Sequence, residues 1–221
     1  MCGLKQWLLD FLYPPTCPHC GAEVKRTGDW CPSCLASVLH IHQVAPSELH
    51  HLDRVSVLAS YTGGIKTMIH DVKFNGKEER ARWAAPLLSA LDAANHFTYE
   101  PHLVIPIPIN EAKRKSRGYN QVDLFFKDWV ESKRQAGHWH WYDILHKGET
   151  HDDMWHLSQV QRREQVDHLF SIPQSNRLAG RRILLVDDIY TTGATLEAAA
   201  QVIRAYGPKS VEALVLASGR A

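Results

Sequence analysis

Two adjacent carboxylates followed by a small, hydroxyl-rich turn are the residues of this sequence best suited to chemistry. Asp187 and Asp188 come directly after the apolar run 183–186, and the turn 191–195 (Thr-Thr-Gly-Ala-Thr) precedes an alanine-rich helical pattern over 196–206. An unbroken apolar run is typical of a strand that is covered on both faces of a parallel sheet. The turn then lies at a helix N-terminus, where unpaired backbone N–H groups and the helix dipole favour an anion. A phosphate could bind there, with the two carboxylates accepting hydrogen bonds from a sugar diol beside it.

This segment resembles the phosphoribosyl-pyrophosphate (PRPP) signature of type I phosphoribosyltransferases. The resemblance implies that the acidic pair holds the ribose hydroxyls and that the turn binds the 5′-phosphate. Tyr190 departs from that family, which usually has an aliphatic residue at this position. The alternative is an ordinary strand–turn–helix unit with a threonine N-cap, in which Asp188 only caps the helix. The residues predicted to bind the ribose and its 5′-phosphate are Asp187, Asp188, Thr191, Thr192, Gly193, Ala194 and Thr195.

A cationic segment, 113–117 (Lys-Arg-Lys-Ser-Arg), offers a second anion site. It follows an apolar run whose prolines lack donor N–H groups and place the end of a strand near Ile105, and a helix is predicted from about 121 to 134. Because ligands of open α/β sheets bind outside the carboxyl ends of strands, this loop and the turn 191–195 could share one ligand. PRPP needs two such loops, since it carries a pyrophosphate as well as a 5′-phosphate. We predict Arg114, Arg117 and Lys73 on the pyrophosphate side.

The cationic segment also has two other interpretations, a solvated loop and a contact with nucleic-acid phosphates. No aromatic-rich platform for base stacking lies beside it in the sequence, where only Tyr119 is close.

The cysteines form a C-x₂-C-x₁₀-C-x₂-C pattern near the N-terminus, with Cys2 left over. Two C-x₂-C knuckles can close a tetrahedron of thiolates around one ion. We predict a structural zinc with four protein ligands; rubredoxin-like iron is the main rival, because both metals accept four thiolates. A module of about 40 residues buries too little surface to fold without such a metal. The predicted ligands are Cys17, Cys20, Cys31 and Cys34.

The order of the motifs along the chain resembles the competence-protein F (ComF) family, which includes the proteins called GntX. The double C-x-x-C is followed by Tyr-x-Gly…Lys-Phe-x-Gly at 61–76, Pro-x-Pro at 106–108, Arg-x-x-Arg-Gly-Tyr-Asn-Gln at 114–121 and the PRPP turn. The resemblance implies a zinc-finger module followed by a phosphoribosyltransferase-type domain. It also implies a role in the uptake or use of external DNA in bacteria.

One segment departs from that family. A flap over the ligand is expected at 150–168, where Leu157, Ser158 and Arg162 fit the family's spacing. Met154, however, stands where the family has Gln, and Gln165 stands where it has Asn. The sequence therefore departs from the family's pattern at two polar positions of this flap.

The remaining sequence predicts an α/β fold: a parallel sheet of about five strands flanked by helices, preceded by the zinc module. The module occupies 1–45, including a short amphipathic helix at 4–12, and the phosphoribosyltransferase-like domain occupies 46–221. We expect a connection over 35–54, a helix over 78–95 and a short strand over 142–145. The other expected strands are 55–61, 103–105, 183–186 and 211–216.

Composition limits the classes of partner. The 221 residues include 25 Lys and Arg against 24 Asp and Glu, so the net charge of +1 provides no general attraction to a polyanion. No apolar run approaches the ~20 residues of a membrane span, and no signal-peptide core is present, so we expect a cytoplasmic protein without membrane insertion.

Three classes of function follow from these motifs. The first is a phosphoribosyltransferase that acts on an unidentified acceptor, with Mg²⁺ bound mainly through the oxygens of PRPP. The second is a sensor that binds PRPP or a nucleoside monophosphate without turnover. The third is an adaptor of DNA uptake that contacts single-stranded DNA or a helicase. No residue stands out in the sequence as a general base for an acceptor.

Overall fold

The fold is described for most of the chain. The computed structural model describes residues 14–94, 97, 100–135, 137–148, 169–173 and 177–219. The predicted helix at 4–12, Cys2 and the predicted flap at 150–168, with Met154 and Gln165, lie outside the described residues.

A six-stranded sheet forms the centre of the described structure, in the order β1-β2-β8-β7-β3-β4. The pairs β2–β8, β8–β7, β7–β3 and β3–β4 are parallel, whereas β1 runs antiparallel to β2 at one edge. A separate two-stranded antiparallel sheet consists of β5 and β6. The strands are β1 Leu39–Gln43, β2 Arg54–Ser60, β3 Leu103–Pro106, β4 His140–Trp141, β5 His146–Lys147, β6 Phe170–Ser171, β7 Arg182–Tyr190 and β8 Ser210–Ser218.

Helices cover both faces of this sheet. In the described part of the chain they are α1 Pro32–Val38, α2 Gly63–Phe74, α3 Ala85–Ala93, α4 Glu111–Arg117, α5 Gln121–Ser132 and α6 Ala194–Arg204, with 3₁₀ segments at Pro46–Glu48 and Glu78–Ala84. The predicted α/β class, a parallel sheet flanked by helices, is confirmed.

Alternation along the central strands divides the apolar side chains between two cores. On one face, Leu184 and Val186 of β7 pack in a core that includes α2, α3 and α5. On the other face, Ile183 and Leu185 pack in a core with α6. Because both faces are covered, the strands are continuous apolar runs rather than alternating ones.

The predicted connection over 35–54 was partly wrong, because it contains the end of α1 and the edge strand β1. Leu39 and Ile41 of β1 pack against the core and alternate with His40 and His42. This period of two is the pattern of a half-buried strand.

The predicted helix over 78–95 begins as a 3₁₀ segment and becomes α-helical only at Ala85. Pro86 lies in the first turn of α3, where its missing N–H costs nothing; deeper in a helix it would remove a hydrogen bond.

The expected loop over 113–117 is instead the short helix α4. Asn110 caps its N-terminus by accepting a hydrogen bond from the Lys113 N–H at 2.9 Å, and Gly118 ends it in the left-handed region at φ 88°.

The expected strand over 142–145 was also wrong, because β4 comprises only 140 and 141. The Tyr142 N–H makes the last ladder bond to Val104 O, and the chain then buries Ile144 and Leu145 in the second core.

The four-cysteine segment packs directly on the first core. Cys17, Cys34 and Trp30 are buried together with the apolar residues of α2 and α3, and the Trp30 indole donates a hydrogen bond to Trp83 O at 2.9 Å. A side chain at Gly64 would lie 2.9 Å from both Pro18 O and the Trp30 ring, so a glycine there permits the close approach. The predicted domain boundary near residue 45 stays a prediction. The strand β1, which precedes this boundary in the sequence, pairs with β2 of the main sheet.

Candidate functional site

A cavity of about 340 Å³ lies where the neighbouring strands β3 and β7 end. β3 ends at Pro106, which pairs with Val186, whereas β7 continues beside β8 as far as Tyr190. The segment that follows β3 and the last residues of β7 both line the cavity. This is the edge at which open α/β sheets bind their ligands. The cavity is lined by Lys73, Phe74, Ile107, Pro108, Ile109, Asn110, Lys113, Arg117, Gln121, Lys147, Asp187, Asp188, Ile189, Thr191 and Thr195.

The two predicted carboxylates are adjacent residues near the end of β7. Because successive side chains of a strand alternate, they belong to opposite faces of the sheet. Asp188 is buried, and both of its oxygens accept a hydrogen bond at 2.8 Å, one from Lys73 Nζ and one from Gln121 Nε2. Asp187 is partly exposed and accepts the Asp188 N–H through Oδ1 at 2.8 Å. Among the described residues, Asp187 keeps more acceptor capacity for a ligand than Asp188 does.

The segment Arg117–Gln121 connects α4 with α5 and contacts α2 and the end of β3. Gly118 closes α4, and the Tyr119 hydroxyl donates a hydrogen bond to Val72 O of α2 at 2.6 Å. The Asn120 side chain caps α5 by accepting the Val122 N–H, and it donates to Ile107 O at 3.0 Å just beyond β3. These contacts hold the segment against α2, α5 and the end of β3. Arg117 and Gln121, at the two ends of the segment, line the cavity.

Gln121 is a site residue that the sequence analysis missed. Its side chain is buried. The Gln121 amide oxygen accepts a hydrogen bond from Arg117 Nη1, and the amide nitrogen donates one to Asp188, so Gln121 connects the end of α4 with the end of β7. A chain of polar contacts therefore runs from Arg117 through Gln121 and Asp188 to Lys73. Gln121 is the last residue of the family motif 114–121, but the motif did not indicate this contact, because the partner Asp188 is 67 residues away.

The turn 191–195 forms the expected helix N-terminus. Gly193 precedes α6 at φ 80°, and a side chain there would lie 2.7 Å from the Tyr190 hydroxyl. Thr191 and Thr195 line the cavity, while Thr192 is exposed and accepts the Ala194 N–H weakly at 3.4 Å. Tyr190, the departure noted in the sequence, is buried beneath this turn.

Four cations line the cavity, and they differ from the predicted set. Lys73 and Arg117 are present as predicted, whereas the structure places Arg114 outside the lining, with its guanidinium 3.8 Å from the Asp143 carboxylate. The other two cations that line the cavity are Lys113 and Lys147. Lys113 lies in the cationic segment that the sequence did point to, but Lys147 arrives from β5 and carried no signal.

Two groups in the cavity have shifted pKa values. Burial, reinforced by the neighbouring Asp188 charge, raises the pKa of Asp187 from 3.8 to about 8. Burial lowers the pKa of Lys147, and the nearby Lys113 and Lys73 charges add to that effect. Lys147 also lies over the Phe170 ring at 5.5 Å. Such perturbed groups in a cleft are typical of proton-transfer sites.

The four cysteines converge as a tetrahedral metal site requires. Their Sγ atoms all lie within 4.8 Å of one another, and Cys20 Sγ is 3.7 Å from Cys31 Sγ. A tetrahedron with Zn–S bonds of about 2.3 Å has S–S edges of about 3.8 Å, so the spacing fits zinc. A hydrogen bond with the Ser33 hydroxyl lowers the pKa of Cys31 to about 6. The hydrogen bond between Cys34 and Cys31 raises the pKa of Cys34 to about 12. Four thiolates this close need a cation, which supports a structural zinc.

Comparison with known proteins agrees with both sites. The family described as "Phosphoribosyl transferase domain" matches residues 147–221, and the family described as "Double zinc ribbon domain" matches residues 8–45. Competence protein F of Haemophilus influenzae is 29% identical over 213 residues, which cover 92% of this chain and 84% of the relative. The chain is similar to competence protein F over nearly its whole length.

Further relatives extend this result. The DNA utilization protein YhgH of Escherichia coli is 25% identical, with 96% of this chain and 94% of the relative covered. Competence protein ComFC of Streptococcus pneumoniae is 26% identical, with 90% and 86% covered. The resemblance to the competence-protein F family is therefore confirmed over nearly the whole chain.

The described helices contain no candidate for crossing a membrane.

Proposed function

We propose that the cavity binds a 5-phosphoribosyl ligand, PRPP or a nucleoside monophosphate, and that this binding serves the uptake or use of external DNA. The observation that carries the proposal is the convergence at one sheet edge of a carboxylate pair, a helix N-terminus and four cations. A sugar that carries phosphates at two positions needs all three. The matching phosphoribosyl transferase profile supports the ligand class.

Each part of the ligand then has a partner of suitable chemistry. The 5′-phosphate binds at Thr191–Thr195, where threonine hydroxyls and first-turn N–H groups donate. The ribose diol donates to Asp187, because both oxygens of Asp188 already accept hydrogen bonds from the protein. Lys113 and Arg117 face the pyrophosphate, with Lys73 beside them and Arg114 at the periphery.

Mg²⁺ fits this arrangement through the ligand rather than through a protein cage. Asp187 offers the carboxylate oxygen that hard cations prefer, and most of the remaining ligands would be pyrophosphate oxygens and water. When bound, Mg²⁺ would neutralise charge that develops on the leaving pyrophosphate.

We further propose that the protein transfers the phosphoribosyl group. The bond from ribose C1 to the pyrophosphate oxygen breaks with its electron pair going to pyrophosphate, and a nucleophile forms a new bond to C1. The nucleophile loses a proton, which a base near C1 must accept. Asp187 and Lys147 are candidates for this role, because both line the cavity. Burial raises the pKa of the Asp187 carboxyl and lowers the pKa of the Lys147 amine. A sensor that binds without turnover needs neither shift.

A role with DNA is proposed from the relatives, which are named as competence and DNA utilization proteins. In the sequence only Tyr119 is close to the cationic segment, and the structure adds one further aromatic ring from another part of the chain. The Phe74 ring, on a different helix, is 5.9 Å from the Arg117 guanidinium. This contact keeps an adaptor that touches single-stranded DNA as the second candidate function.

Calorimetry with PRPP and Mg²⁺ tests the binding, and release of pyrophosphate tests the turnover. Wild-type protein should bind PRPP, and a Thr192→Val, Gly193→Val double variant should not, because its side chains crowd the phosphate and strain the turn. Undiminished binding in the double variant would refute this placement of the phosphate. Incubation with PRPP, Mg²⁺ and a panel of bases and amines should release pyrophosphate if the protein is an enzyme; PRPP binding without release with any acceptor would favour the sensor.

A further inference from the structure

Phe74 is the one large apolar side chain that is clearly exposed in the described part of the chain, at 68% of its surface. The other large apolar residues of α2, namely Ile65, Met68, Ile69 and Val72, are completely buried. Phe74 belongs to the last turn of the helix and contributes nothing to either core. Its exposure is therefore not explained by folding.

The position of Phe74 suggests a use for it. The ring lies at the wall of the cavity, and its neighbour in sequence, Lys73, donates to Asp188. The Arg117 guanidinium lies 5.9 Å from the ring centre and the His70 ring lies 5.0 Å away. A flat, apolar group thus stands beside the carboxylates proposed to hold the sugar.

We propose that Phe74 stacks on the nucleobase of a nucleotide whose sugar and phosphate lie in the cavity. The inference rests on the proposed function, and it adds a base to the ligand. A base attached to C1 projects from the sugar, and the side of the cavity that carries Lys73 offers it an aromatic face. Arg117 can contribute a second planar group, since guanidinium planes also stack on bases.

Phenylalanine has a consequence for specificity. Its ring carries no hydrogen-bonding group, so it offers a stacking surface to every base and distinguishes little among them. We therefore expect purine and pyrimidine nucleotides to bind with similar affinities. The same surface serves a free mononucleotide or one nucleotide of a single strand.

The experiment compares ligands that differ only in the base. Wild-type protein, Phe74→Leu and Phe74→Trp are titrated calorimetrically with ribose 5-phosphate, UMP and AMP, and with a thymidine oligonucleotide. Stacking should make each mononucleotide bind about 5- to 150-fold more tightly than ribose 5-phosphate to the wild type. Phe74→Leu should lose most of this gain without changing the affinity for ribose 5-phosphate, and Phe74→Trp should keep it. Lys66→Ala, at an exposed position of the same helix, is the matched control and should behave as the wild type.

The outcomes separate this inference from the function on which it rests. Failure of ribose 5-phosphate and PRPP to bind the wild type would overturn the proposed function, and this inference with it. Ribose 5-phosphate binding with no gain from a base, or a gain that Phe74→Leu retains for both mononucleotides and the oligonucleotide, would overturn the stacking role alone. A loss confined to the oligonucleotide would support stacking and identify the single strand as the source of the base. Because Phe74 is exposed, the variants should fold, and an unchanged melting temperature verifies this.

Discussion

Asp187→Asn should stabilise the protein while it weakens ligand binding. Removal of water from around the Asp187 carboxyl, together with the nearby charge of Asp188, raises its pKa to about 8 in the folded state. In the unfolded chain the pKa returns to about 3.8, so the unfolded state loses this proton at lower pH than the folded state. The charge on Asp187 therefore costs folding free energy, a cost typical of functional groups.

The sign and size of the effect follow from this difference. The penalty is absent below about pH 4, grows as the pH rises toward about 8, and is constant above that. At about 1.4 kcal/mol per pKa unit, the full shift sets an upper limit of roughly 6 kcal/mol. Asp187 is partly exposed and surrounded by cations, so solvent and neighbours screen much of that; we expect about 2 kcal/mol, or a rise of about 4–8 °C in melting temperature.

Thermal unfolding of wild type and Asp187→Asn at about pH 5 and about pH 9 measures this directly. The stabilisation should be small at the lower pH and near its full value at the higher one. Asp128→Asn, which removes a carboxylate from an exposed position on α5, is the control and should show little stabilisation at either pH. Equal melting temperatures of wild type and Asp187→Asn at the higher pH would refute the reasoning.

Three further predictions concern the cationic wall, the turn and the metal. Arg117→Ala should weaken PRPP binding by about 10- to 100-fold in calorimetry and spare ribose 5-phosphate, whereas Arg114→Ala, whose partner is Asp143, should have a much smaller effect; equal effects would contradict the placement of the pyrophosphate. Gly193→Val alone should lower the melting temperature, because it strains a residue at φ 80° and drives a side chain into the Tyr190 ring; an unchanged value would contradict the turn geometry. Elemental analysis should find one zinc per chain, and chelation should lower the melting temperature of the whole chain, because the cysteine segment shares the first core; iron, or an unchanged melting temperature, would contradict this.

The sequence predicted those parts of the protein that depend on local pattern. Three patterns carry their chemistry within a few residues. In the structure the run 183–186 is part of a strand, the turn 191–195 forms a helix N-terminus, and the spaced cysteines form a cluster of thiols. The zinc module was predicted over 1–45, but its packing against Gly64 could not be inferred from the spacing of the cysteines.

What the sequence could not supply were contacts between distant segments. Gln121, Lys147 and Phe74 reach the cavity from three separate elements. Gln121 and Phe74 fall within the quoted family motifs, but nothing in the local sequence indicates which residues they contact. The division of labour between the two carboxylates was also hidden. Both oxygens of Asp188 accept hydrogen bonds from protein donors, whereas Asp187 keeps more acceptor capacity. The donors that decide this, Lys73 and Gln121, lie on two helices far away in the sequence.

A crystal structure of the wild-type protein with PRPP and Mg²⁺ tests the central claim most directly. We predict the 5′-phosphate at Thr191–Thr195, the ribose hydroxyls within hydrogen-bond distance of Asp187, and the pyrophosphate facing Lys113 and Arg117. PRPP bound at another surface, or bound here with its pyrophosphate at the turn 191–195, would contradict the account.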